Sequence, residues 1–196
     1  MILGMTNGLG AVNAALLALG RWLGAACLGV MVVVILLQVF FRYVVGLALP
    51  WPEEASRFFM LWSTALMAPT AFRRGGFVAI DMVVRLLPRG LAAGMSVILM
   101  TLTILVLWIA LGIGWNEVTG LGGRFELDAL RVPAALDLSV WVKVPKAAMM
   151  ASLPVGIALL LSVAAELVLR NFFVLVRGVD GLNEIPETVT LGSGAE

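Results

Sequence analysis

The sequence has no histidine among its 196 residues and a single cysteine, Cys27. The first absence removes the usual general base, bis-histidine haem and most zinc sites. The second excludes an internal disulfide. Charge is scarce as well: 13% of residues are Asp, Glu, Lys or Arg, against roughly 25% in a soluble domain. A net charge of +1 gives no reason to expect nucleic acid or a strongly acidic substrate. What the chain has in quantity is apolar surface, 62% of residues with a mean hydropathy of +1.08. Such a chain belongs in a bilayer.

The uncharged runs count out the helices. Trp22 to Phe41 gives 20 residues, Phe58 to Phe72 gives 15, Gly90 to Asn116 gives 27, and Ala147 to Ala165 gives 19. A spanning helix needs about 20 apolar residues. The second run reaches that length only if its first turn, from Pro52 to Arg57, sits among the headgroups. With no strand-forming alternation read in the chain, the expected fold is an all-α membrane protein. It has four transmembrane helices, over about 22–45, 53–72, 90–116 and 146–169, plus short interfacial helical segments. The whole chain, 1–196, is read as one integral membrane domain.

The ends and links carry less information. The first twenty residues hold no side-chain charge and lack the basic start of a secretory signal. They are expected to form an interfacial helix or to extend the first span to about Asn13. Gly120, Gly122 and Gly123 break the chain after the third span, and FELDALRVPAALDLSVW reads as a segment lying on the membrane surface. Pro154 is expected to kink the last span. The tail from about 178 to 196 is polar and expected to be mobile. Gly20 with Gly24, and Gly90 with Gly94, are small-xxx-small pairs that suit packing faces.

Arginine sets the expected orientation. Arg73, Arg74, Arg85 and Arg89 crowd the link between spans two and three, opposed only by Asp81. Placing that link inside puts both termini in the cytoplasm.

The stretch FFRYVVGLALPWPEEASRFFMLW holds four charges at membrane depth, where charge is costly. Local physics accounts for most of them. Pro52 suits a first helical position, and Glu53 and Glu54 then lie where the helix dipole favours anions. Arg57 can pair with either glutamate at helical spacing. Arg42 ends the preceding helix, and the turn is expected to return it toward the glutamates. Trp51 suits the interface. The aromatic Phe40, Phe59 and Trp62 nearby are candidate contacts for a protein partner.

The order of these residues carries a resemblance. Arg42–Tyr43, then Pro50, Trp51, Glu53, Glu54, Arg57 and Trp62, then Arg73–Arg74 and Ile80–Asp81, resembles the small membrane subunit of tripartite ATP-independent periplasmic (TRAP) transporters, the DctQ-like Q subunit. The later WVKVPKAAMMASLPVG is similar to that family's entry to its last helix. Where the family often has a histidine, this sequence has Phe77. The resemblance implies a subunit of the bacterial inner membrane with no catalytic, cofactor or metal residue of its own. Its partners would be a large elevator-type membrane subunit, a periplasmic substrate-binding protein and the lipid bilayer. Sodium and the organic acid would be handled by those partners. The small subunit would stabilise the large one's scaffold and help dock the binding protein.

Two other classes compete. A stand-alone small exporter or channel would want a mid-span acid or a polar pore face. Apart from Asn116 at the end of the third, the uncharged runs offer only isolated hydroxyls and Gln38. The membrane anchor of a redox enzyme would want haem-ligating histidines, which the chain lacks.

Overall fold

The computed structural model describes residues 2–47, 49–74, 89–133 and 141–177. Asp81, with most of the link that carries it, and the expected mobile tail lie outside the described residues.

Helix α1 runs from Ile2 to Phe40. The first twenty residues therefore continue the first span, and the helix reaches well beyond the expected limit at Asn13. Its 39 residues cover about 58 Å, nearly twice a hydrocarbon thickness of about 30 Å. Gly10, Asn13, Leu17, Gly20 and Gly24 are all buried. Their three- and four-residue spacing makes one narrow stripe of mostly small or polar side chains. A π turn, Phe41–Val45, ends the helix, and Gly46 closes it at φ 75° with its N–H on the Phe41 carbonyl. Glycine takes that left-handed cap without steric cost.

Helix α2, Trp51–Arg73, starts after Pro50 with Pro52, Glu53 and Glu54 in its first turn. It lies antiparallel to α1, as Gly10 meets Arg73 and Gly20 meets Leu66. A Cβ on Gly20 would stand 3.1 Å from the Leu66 carbonyl oxygen, and one on Gly24 would stand 2.8 Å from Met67 Cγ. This pair is a packing face, as its spacing indicated. Gly90 and Gly94 fall in helix α3, Arg89–Thr119, at positions whose side-chain surroundings are outside the described residues.

The glycines after α3 end it as expected. Gly120 donates to the Asn116 carbonyl at 2.7 Å, and a 3-10 turn, Gly122–Arg124, follows. The chain then departs from the all-α expectation. Strands β1, Glu126–Pro133, and β2, Trp141–Pro145, pair antiparallel. The described parts of the surface segment are thus paired strands rather than an interfacial helix. Charged and apolar residues alternate at Glu126-Leu127-Asp128 and Val142-Lys143-Val144, and a proline stands at the end of each strand. The alternation is too short to register beside runs of 20 residues.

A short helix α4, Lys146–Met150, leads into α5, Ser152–Arg177. The break at Ala151 lies beside Met150, whose carbonyl Pro154 cannot satisfy. The helix is thus interrupted three residues before the proline at which a kink is expected.

Helices α1, α2 and α5 pack on one another, while α3 packs along α5. Among the described residues, three helical stretches are long and apolar enough to cross a membrane: Asn7–Val45, Ile98–Thr119 and Lys146–Arg170. Helix α2 has 23 residues but falls short in hydropathy, because its charged, proline-bearing first turn and Arg73 leave only 15 uncharged residues between them.

Gly156 marks the closest approach of α5 to α2. A Cβ there would lie 3.0 Å from both Cα and Cβ of Ala65. Pro69 has already removed the helical donor for the Ala65 carbonyl, so the two backbones meet where α2 is least regular. Gly156→Leu should cost about 1–3 kcal/mol by overpacking, read as a lower midpoint of thermal unfolding in detergent. Gly29→Leu, with nothing within 4 Å, should leave the midpoint unchanged.

Candidate functional site

Polar side chains gather at the two ends of the helix set. At the end holding the start of α1 and the close of α2, Glu166 of α5 is completely buried. Its Oε1 accepts from Arg73 Nη2 at 2.7 Å and from Arg170 Nε at 3.1 Å. Its Oε2 accepts from Asn13 Nδ2 at 2.9 Å and from Arg73 Nε at 3.0 Å. A carboxylate has about four acceptor positions, and here each oxygen receives two donors. Arg73 Nη2 also donates to the Gly10 carbonyl at 2.9 Å, and Asn13 Nδ2 to the Ser162 carbonyl at 3.1 Å. One carboxylate thereby joins α1, α2 and α5.

Sequence reasoning missed this cluster. Glu166 served only to bound the last uncharged run, and Arg73 was placed in the cytoplasmic link. Arg73 is instead the last residue of α2, with its side chain only 10% exposed and turned between helices. The available signal was the four-residue spacing of Glu166 and Arg170 inside an apolar helix, which puts acid and base on one face. Arg74 caps α2 through its N–H to the Thr70 carbonyl at 3.2 Å.

The opposite end holds the stretch from Arg42 to Trp62, and the structure separates its charges. Glu53 pairs with Arg57 in the open, both side chains 65% exposed. Glu54 does not join them. Its Oε2 accepts from the backbone N–H groups of Ala129 and Leu130, each at 3.1 Å. Arg42 is exposed and makes no ion pair among the described residues, so the turn does not return it to the glutamates. Those partners are satisfied otherwise, Glu53 within its own helix and Glu54 by β1.

The aromatic residues divide too. Phe40 is 52% exposed and edges against Phe41. Phe58 stacks edge-on with Phe59 and tilts against Trp62. Trp62 is tied within the chain, its Nε1 donating to the Ala148 carbonyl at 3.1 Å. Trp51 is half-buried at the head of α2. Among the described residues no group of three or more His, Cys, Asp or Glu side chains is arranged to hold a metal ion.

Apolar helices braced by a buried ion cluster define an integral membrane subunit built on helix–helix contact. The family follows from the sequence match. A family model for the DctQ component of tripartite ATP-independent periplasmic transporters covers residues 31–174, most of the chain, and the chain belongs to that family. It is a TRAP transporter component. No curated protein and no solved structure matches it.

The two clusters differ in consequence. Glu166→Leu leaves Arg73 buried without its carboxylate and should cost about 3–5 kcal/mol, measured by thermal unfolding in detergent. Pairing it with Arg73→Met should recover part of the loss, because apolar residues can replace a buried ion pair at little cost.

At the other end, Glu53→Ala should shift stability by less than about 1 kcal/mol, as exposed pairs do. Glu54→Ala should cost about 1–3 kcal/mol, because two backbone donors lose a charged acceptor. Equal effects of the two changes would contradict this division.

Proposed function

We propose that this chain is the non-catalytic small membrane subunit of its transporter. It stabilises the scaffold of a large elevator-type subunit and helps dock a periplasmic binding protein during sodium-coupled uptake of an organic acid. The observation that carries the reading is the buried Glu166 brace. An elevator needs a stationary frame, and a carboxylate with four donors from three helices resists relative motion of those helices.

The rest of the architecture supports the same reading. Helix α3 leaves Ile98, Leu105, Trp108 and Ile109 more than half exposed, which gives lipid or a larger membrane subunit a broad apolar surface to cover. Helix α2 lies antiparallel to α1 and parallel to α5. On this reading α2 is the fourth crossing, both termini face the cytoplasm, and the strand pair lies in the periplasm. The membrane is the bacterial inner membrane. Substrate and sodium are handled by the partners.

Reconstitution tests the division of labour. The chain alone in liposomes should take up no organic acid under an inward sodium gradient. Adding the large subunit and the binding protein should establish uptake. Uptake by the isolated chain at the rate of the whole system would overturn the scaffold role.

A further inference from the structure

We infer that Arg21 takes a carboxylate from a helix of the large membrane subunit, in the middle of the bilayer, and that the small-residue face around Arg21 seats that helix. This rests on the small-subunit reading above and goes beyond it in naming the face of α1, the residue and the chemical group it meets.

Arg21 is the one charged side chain between Ile2 and Arg42. As the boundary of the first uncharged run it would lie among the headgroups. Packing places it elsewhere. Gly20, the residue before it, meets Leu66, and Gly156 meets Ala65. Ala65 is the middle residue of the uncharged run from Phe58 to Phe72, and Gly156 is the middle residue of the run from Ala147 to Ala165. Arg21 therefore stands level with the midpoints of two apolar runs. The polar cluster agrees with this level. Asn13 meets Glu166, and the eight residues from Asn13 to Arg21 carry α1 about 12 Å further from that end. A half-bilayer of about 15 Å then separates Arg21 from lipid phosphates on either side, more than its side chain spans.

A cation at that depth is costly without an acceptor. Arg21 is half-buried and makes no hydrogen bond or ion pair among the described residues. Its guanidinium stays charged and presents a planar fork of donors that matches a carboxylate with two parallel bonds. The acceptor must come from outside the chain.

The surroundings of Arg21 favour a helix over lipid as the source. Ala14, Ala18, Ala25 and Gly29 share its face of α1 at three- and four-residue spacing. Ala14, Ala25 and Gly29 are exposed, and a Cβ on Gly29 would meet nothing within 4 Å. Gly20 and Gly24 serve the contact with α2, whereas among the described residues no contact uses Gly29. A mid-helix glycine costs helix stability, and lipid tails cover a tall face as well as a shallow one. A second helix gains close approach along small residues, and that approach brings its side chains within reach of Arg21.

The test uses the complex of the two membrane subunits in detergent. Arg21→Leu and Gly29→Leu should each raise its dissociation constant about tenfold, with no fall in the unfolding midpoint of the small subunit alone. Arg21→Lys keeps the charge and should lose less. In the Arg21→Lys complex, a carbodiimide that partitions into the bilayer should condense the introduced amine with the carboxylate it meets, and mass spectrometry should locate that amide in the large subunit. A photo-crosslinker at Ala25 should capture the same subunit. Unchanged affinity in both leucine variants overturns the inference. So does a fall in the small subunit's own midpoint that matches the lost affinity, since Arg21 would then serve this chain's fold. Lost affinity in Arg21→Leu without the amide overturns the carboxylate as acceptor, and capture of lipid or of a second copy alone overturns the choice of partner. A wild-type chain that holds no large subunit is a separate result, and it removes the small-subunit reading itself.

Discussion

Glu166 sits out of contact with solvent with Arg73, Arg170 and Asn13 around its carboxylate, and the meeting of α1, α2 and α5 follows from keeping those bonds. The constraint is strict because the alternatives are costly. A buried carboxylate without partners carries a desolvation penalty of several kcal/mol. Each helix that drifts away removes a donor. In water an apolar stripe could hold the helices without such help. In a bilayer it cannot, because lipid tails cover apolar side chains as well as a neighbouring helix does.

The remaining contacts between helices have the same logic. Gly20, Gly24 and Gly156 let backbones approach within the reach of a missing Cβ, which gives dispersion contact where hydrophobic drive is absent. Asn13 adds a side-chain bond to the Ser162 carbonyl, and Trp62 adds one to the Ala148 carbonyl. Among the described residues the buried core is otherwise small and made of short or aliphatic residues, and many large apolar side chains are exposed. That arrangement suits a subunit whose outer surface is finished by lipid or by another membrane protein.

Membership of the DctQ family gives these contacts a setting. The Glu166 end fixes the helices relative to one another, and the Glu54 end fixes a polar strand pair relative to the helices. Frame and attachment are separate, each held by one glutamate. The exposed Glu53–Arg57 pair stands next in sequence to the Glu54 tether and contributes little, which shows how poorly adjacency predicts role.

Composition by itself determined the membrane setting, because 62% apolar residues and 13% charge leave no other solvent. The order from Arg42 to Asp81 was enough for the family. Long uncharged runs located α1, α3 and α5, since a spanning helix must satisfy its backbone internally and therefore has a minimum apolar length. The spacing of Gly20 and Gly24 foretold a packing face for the same local reason. What tertiary structure decided was the partner of each charge. Arg42 and Glu54 are near in sequence and do not pair. Arg73 and Glu166 are 93 residues apart and do. Helical periodicity places a side chain on a face, but it says nothing about which distant helix that face will meet. The strand pair was hidden for a related reason: its alternation is only a few residues long, and its stability comes from a carboxylate on α2 that no local pattern records.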